Sequence, residues 1–155
     1  MGQQASSTNS VHFDNCRISN DAMLGTENQG FKIAVGELVG GRIGIASLAL
    51  GLGSAAIDFA RKYTTEREQF GEKISNFQGP QFMMADTYTE REAAKLMVLQ
   101  AAWKKDNNEP YMKAASMAKL YCTEWANRAC YTALQLMGGA GYTKDYPLER
   151  YTRDA

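Results

Sequence analysis

Between Ile43 and Ile57 the chain carries no formal charge for 15 residues. A membrane span needs roughly 20 such residues, so this stretch reads as a buried core helix instead. The apolar pattern extends beyond it on both sides. Phe31, Val35, Leu38, Ile45, Ala49, Leu52, Ala56, Phe59 and Tyr63 recur at strides of three, four and seven. A second face carries Ile33, Ile43, Leu50 and Ile57. Apolar residues on both faces describe a central helix with neighbours on more than one side. Seven glycines fall between Gly30 and Gly53. Each costs about 1 kcal/mol against alanine in a helix, so close packing or a ligand is expected there.

Thr26-Glu27-Asn28-Gln29 fits a capping box, with Thr26 as N-cap and Gln29 at N3, and the helix is expected to end near Thr64. A loop then runs from Thr65 to about Gly79. Pro80 suits the first turn of a second helix that reaches about Lys105, with Phe82, Ala85, Ala93, Leu96 and Trp103 on its inner stripe. Asp106 to Pro110 is a turn. A third helix spans about Tyr111 to Met137 and buries Ala114, Ala118, Cys122, Trp125, Ala129, Ala133 and Leu136. Gly138 ends it, and a short fourth helix begins near Pro147. Val11 to Ile18 partly alternates and reads as one strand, the last piece of a preceding sheet. The expected fold class is all-α: an antiparallel helical bundle with a short N-terminal strand remnant. The bundle is incomplete, lacking a fourth long helix or an oligomer partner. Residues 1–10 read as a tag or disordered tail, 11–25 as the end of a β domain, and 26–155 as the helical domain.

Composition narrows the function. Lys+Arg and Asp+Glu stand at 17 each, so no charge excess points to nucleic acid. Cys16, Cys122 and Cys130 are odd in number and form no CxxC, which argues against a disulfide framework or a zinc site. His12 is the single histidine, so His triads and multi-His metal sites are excluded. No metal site is expected.

Three constellations carry chemistry. Arg42 falls on the apolar stripe between Leu38 and Ile45, where a charge needs an acid, a carbonyl or a ligand. Snorkelling or internal pairing stands beside the ligand reading. Arg67-Glu68-Gln69-Phe70-Gly71, followed by Phe77-Gln78, offers a cation, amides and aromatics, enough to bind a phosphate and stack on a ring. A plain surface loop has the same composition. Gln135-Leu136-Met137-Gly138-Gly139-Ala140-Gly141 closes the third helix. It lacks the GxGxxG spacing and follows no strand, so it is no dinucleotide fold fingerprint. At a helix C-terminus the dipole disfavours anions. Any ligand contact comes from the Gln135 side chain and backbone N–H groups, and a simple helix-ending turn is the alternative.

In order, these segments resemble the C-terminal helical domain of the acyl-CoA dehydrogenase family. Gly30-Phe31-Lys32-Ile33-Ala34, Gly40 to Ala46, Arg67 to Gly71, Phe77-Gln78, Gln135 to Tyr142 and Glu149 to Ala155 carry the resemblance, which covers residues 11–155. The GGRIGIA and GYTKDYP wording is most similar to short-chain and short/branched-chain members. The resemblance implies a flavoenzyme whose FAD oxidises an acyl-CoA to the 2,3-enoyl-CoA. A glutamate takes the α-proton while a hydride leaves for the flavin. It implies a homotetramer passing electrons to an electron-transferring flavoprotein, in the mitochondrial matrix or the bacterial cytoplasm. The 11–25 segment then belongs to a middle β domain.

Carried over residue by residue, Arg67, Phe70, Gln78, Gln135, Leu136, Met137, Gly138 and Gly139 are the FAD-facing set, reaching the flavin of a neighbouring subunit. Phe31, Val39, Gly40, Gly41 and Arg42 line the acyl-CoA site. Val39 stands where members commonly carry Asp or Asn. The catalytic glutamate is not matched. In some members it precedes the arginine, where this chain has Gly41. In others it follows the Arg-Asp-Ala segment, beyond Ala155. The piece is therefore expected to be inactive alone. A helical oligomerisation module and an acyl-CoA oxidase-like relative are the competing readings.

Overall fold

A computed structural model describes all residues, Met1–Ala155. Four helices form: α1 (Gly30–Glu66), α2 (Gln78–Asp106), α3 (Met112–Met137) and α4 (Leu148–Asp154). A two-stranded hairpin, β1 (Glu68–Gln69) and β2 (Glu72–Lys73), links α1 to α2. Its register pairs Glu68 with Lys73 and Gln69 with Glu72. Phe70 and Gly71 both take positive φ, 56° and 79°, as a tight two-residue hairpin turn requires.

Small side chains set the packing. α1 buries Ala46, Ala49, Gly53, Ala56 and Ala60, and α3 answers with Ala118, Ala126, Ala129 and Ala133. Trp125 is fully buried where α1, α2 and α3 meet, and its indole N–H donates to the Thr87 carbonyl at 3.2 Å. A Cβ on Gly53 would lie 2.7 Å from the Trp125 ring and 3.1 Å from the Ala126 Cα. That glycine is there because the indole needs the space.

Cross-helix contacts give the directions. Arg42 meets Ser116, and Gly53 meets Trp125 and Ala126, so α1 and α3 run the same way. Cys122 approaches the Ala94 carbonyl and Trp125 that of Thr87, so α2 runs antiparallel to α3. Asp58 clasps α2 to α1, accepting from the Tyr88 hydroxyl at 2.6 Å and from Arg91 at 3.3 Å. Burial, with that carboxylate beside it, pushes the Tyr88 hydroxyl above its usual range.

Several expectations need correction. Val11 to Ile18 forms no strand and is exposed throughout, because nothing in the chain offers it a ladder partner. The capping box does not form. Asn28 takes φ 67°, Gln29 N–H bonds to the Thr26 carbonyl, and the helix starts one residue later with no side-chain cap. α2 begins at Gln78, leaving Pro80 in its first turn, where its missing N–H costs nothing. The inner stripe of α2 is Thr87, Ala94, Val98 and Ala101, while Phe82, Leu96 and Trp103 face outward. Likewise Phe31, Val35, Leu38 and Ile45 of α1 are exposed. Close helix approach selects small residues for the seam and leaves the large ones on the outer faces. α1 is long and apolar enough to cross a membrane by length and composition, yet its small-residue seam packs on α3 as a core helix does.

Two measurements follow from this core. Gly53→Ala is expected to cost about 1–3 kcal/mol by overpacking. Gly51→Ala adds a Cβ where nothing lies within 4 Å, and should gain up to ~1 kcal/mol of helix propensity. Urea midpoints distinguish the two. Burial also pushes the Cys130 thiol up to about 11 and raises Cys122. The unfolded thiols ionise near ~8.5. Above that value the unfolded chain loses protons the folded chain keeps, so stability, full at lower pH, falls as pH rises toward about 11. Urea unfolding at about pH 8 and about pH 10.5 should show the drop, reduced in Cys130→Ala.

Candidate functional site

Because α1 and α3 are parallel, their C-terminal ends finish side by side. A cavity opens between them, lined by Tyr63, Arg67, Gln69 and Ile74 on one wall and Gln135 to Ala140 on the other. Arg67 is exposed and pairs with no acid. Gln135 stands exposed on the facing wall, while Leu136 and Met137 are buried beneath it. Past Met137 the backbone tightens into a 3-10 turn, Gly138–Tyr142, entered through Gly138 at φ 56° and ψ −139°. A left-handed φ of this kind favours glycine. Nothing lies within 4 Å of a Cβ placed on Gly138 or Gly139.

One detail differs from the sequence reading. The Gly138 N–H is not free for a ligand: it donates to the Gln135 carbonyl and closes the end of α3. The side-chain donors in the cavity lining include the Arg67 guanidinium and the Gln135 amide, and at Gly139 the space a Cβ would take is open. A second cavity adjoins the first across Tyr63 and Arg67, and is lined further by Phe59, Lys62, Glu66 and Tyr146.

Arg67, Gln135, Leu136, Met137, Gly138 and Gly139 are thus brought together, although α2 and most of α3 separate them in sequence. Phe70 and Gln78 are not part of that wall. Phe70 stands at the hairpin tip, 95% exposed, and Gln78 opens α2 at the surface. Gln69, part of the Arg67 to Gly71 segment though not assigned to the cofactor, also lines the cavity, and sequence reasoning missed Tyr63, Ile74 and Tyr146. Tyr63 carried a legible signal, since it precedes Arg67 by one helical turn on the same face.

The five residues assigned to acyl-CoA lie at the other end of α1 and do not share one face. Phe31 is 84% exposed and Gly41 is exposed, whereas Val39 is 7% exposed. Val39 and Gly36 line a groove with Asn108 to Lys113. Arg42 resolves its apparent burial by reaching across to α3. It donates to Ser116 Oγ at 2.7 Å, and Ser116 donates to the Met112 carbonyl at 2.8 Å. A neutral hydroxyl orients the guanidinium and leaves its charge uncompensated. Glu149 is no poised base. Its ion pair with Arg153, at 2.8 Å, holds the carboxyl below its usual range.

Residues 28–155 match the family described as acyl-CoA dehydrogenase, C-terminal domain. The chain belongs to the acyl-CoA dehydrogenase family. Over all 155 residues it is 46% identical to the probable acyl-CoA dehydrogenase YngJ of Bacillus subtilis, covering 41% of that protein. It is 44% identical, again over its full length, to the mitochondrial short-chain specific acyl-CoA dehydrogenase of Rattus norvegicus, covering 38% of it. The solved butyryl-CoA dehydrogenase of Megasphaera elsdenii superposes on 88% of the chain and 36% of its own, at 42% identity and a TM-score of 0.87. The chain therefore spans about two fifths of the length of the curated relatives it matches. The family is FAD-dependent.

Proposed function

We propose that the chain is the helical part of an acyl-CoA dehydrogenase that oxidises a short or branched acyl-CoA to its 2,3-enoyl-CoA, with FAD as hydride acceptor. The observation that carries this reading is the cavity uniting Arg67 with Gln135 to Gly139. A guanidinium without an acidic partner and an amide, beside glycines that carry no side chain, form a donor set suited to the cofactor's phosphates. The C-terminal dipole of α3 opposes an anion there, so Arg67 carries the attraction. Phe70, at the exposed hairpin tip, supplies a ring to stack on the same group, and Gln78 supplies a further amide. At the far end of α1, Phe31, Val39, Gly40, Gly41 and Arg42 form the acyl-CoA side, with the Arg42 cation turned to the ligand's polar portion.

The two ends of α1 support an assembly. Arg42 and Arg67 are separated by roughly 37 Å of helix. One extended helix cannot bring both ends to a single reacting centre, so each end serves a different one, as in a homo-oligomer whose cofactor site is shared between subunits. A tetramer, with an electron-transferring flavoprotein as acceptor, is the form we propose. The location would be the matrix in a mitochondrial source and the cytoplasm in a bacterial one. The glutamate base comes from sequence outside residues 1–155, and residues 1–25 belong with the middle β domain. Identity running through all 155 residues favours that over a tag at 1–10.

Flavin fluorescence during titration of FAD into the 155-residue chain tests the cofactor assignment. Weak binding is expected, and Arg67→Gln should raise Kd by about tenfold to a hundredfold, the worth of a charge-assisted hydrogen bond. Equal affinity for the two proteins would remove Arg67 from the site. Dye reduction with butyryl-CoA or 2-methylbutyryl-CoA is expected to be absent, and turnover by the chain alone would refute an external base.

A further inference from the structure

Past Met137, the glycine wall of the cavity leaves α3 and has to be held in place by something else. No hydrogen bond or ion pair joins the turn at Gly138–Tyr142 to the Arg67 wall. At its start the Gly138 N–H is tied to the Gln135 carbonyl, Ala140 packs on the core beneath it, and two further contacts support it. Beneath, the turn rests on α3: a Cβ on Gly141 would lie 2.8 Å from the Leu134 carbonyl oxygen. Beside it, the chain returns over α1 through Tyr146. That ring meets Tyr63 edge-on at 5.9 Å and Phe59 at 6.2 Å between centroids. Leu148, fully buried two residues later, anchors the return. Thr143 closes the turn between these supports, donating its hydroxyl to the Ala140 carbonyl at 2.9 Å.

Phe59 and Tyr63, four residues apart, share one face of α1, and Arg67, the residue that caps the helix, continues that line with its N–H donated to the Tyr63 carbonyl at 2.9 Å. Tyr146 therefore grips α1 on the line that ends in Arg67. Tyr63 lines the cofactor cavity on one side and touches Tyr146 on the other.

We propose that Tyr146 is a positioning residue: by clamping the return segment onto Phe59 and Tyr63, it fixes the separation of the Arg67 and Gly138–Gly139 walls of the cofactor cavity. It touches no reacting atom. The ring edge does this work, and the phenolic hydroxyl is not required.

The clamp is tested first without any flavin, by amide NMR of the 155-residue chain. Tyr146→Leu should shift the Gly138 and Gly139 amide signals and speed exchange across the turn by about tenfold. Tyr146→Phe should keep the wild-type pattern, and circular dichroism confirms that both variants fold. Unmoved glycine amides in Tyr146→Leu would overturn the clamp. The second arm rests on the cofactor assignment above. In FAD titration, Tyr146→Leu should raise Kd about tenfold while Tyr146→Phe matches wild type. Shifted amides with an unchanged Kd would show that the clamp does not serve the site. A wild-type chain that binds no flavin would overturn the cofactor assignment alone, and the amide arm would still decide the clamp.

Discussion

The seam between α1 and α3 is the contact on which the rest of the molecule depends. Trp125 fits against Gly53, and alanines on both sides let the two backbones approach closely. The indole fills the space where α2 joins and anchors its N–H on the Thr87 carbonyl, so the largest core side chain is also hydrogen-bonded to a third helix. A larger residue at position 53 would push the two parallel helices apart along their length, because a close-packed interior has little free volume to absorb it.

Function follows from direction more than from any single residue. Parallel α1 and α3 bring like ends together. One end collects Arg67, Gln135 and the glycine turn, and the other collects Arg42, Ser116 and the groove around Val39. Both ends display an arginine without an acidic partner.

Much of this was legible in the sequence. The helix spans follow from apolar strides and from Gly138, whereas the arginine, glutamine and glycine segments were joined to one expected ligand by the family resemblance and not by their own chemistry, which a surface loop and a helix-ending turn also fit. What sequence periodicity could not rank was size. Leu38, Ile45, Leu96 and Trp103 carry a strong hydrophobic signal, and they lie outward because the seam, apart from Trp125 and Ile57, is built mostly of small side chains. The hairpin at Glu68 to Lys73 escaped because two-residue strands show no alternation. Thr26 to Gln29 had capping-box chemistry, but the left-handed Asn28 diverted it into a turn. The strand expected at Val11 to Ile18 lacks a partner within the chain.

The uninterrupted 37-residue course of α1 has a consequence for how such a sequence can change. Adding or deleting one residue between Arg42 and Arg67 would rotate one end against the other by about 100° and slide it by about 1.5 Å. Gly53 would leave Trp125, and one of the arginines would turn away from its neighbours on α3. Side chains along α1 can be exchanged one at a time, but its length cannot. Insertions in the α2–α3 turn or the hairpin lengthen a loop without altering the phase between the two ends of α1.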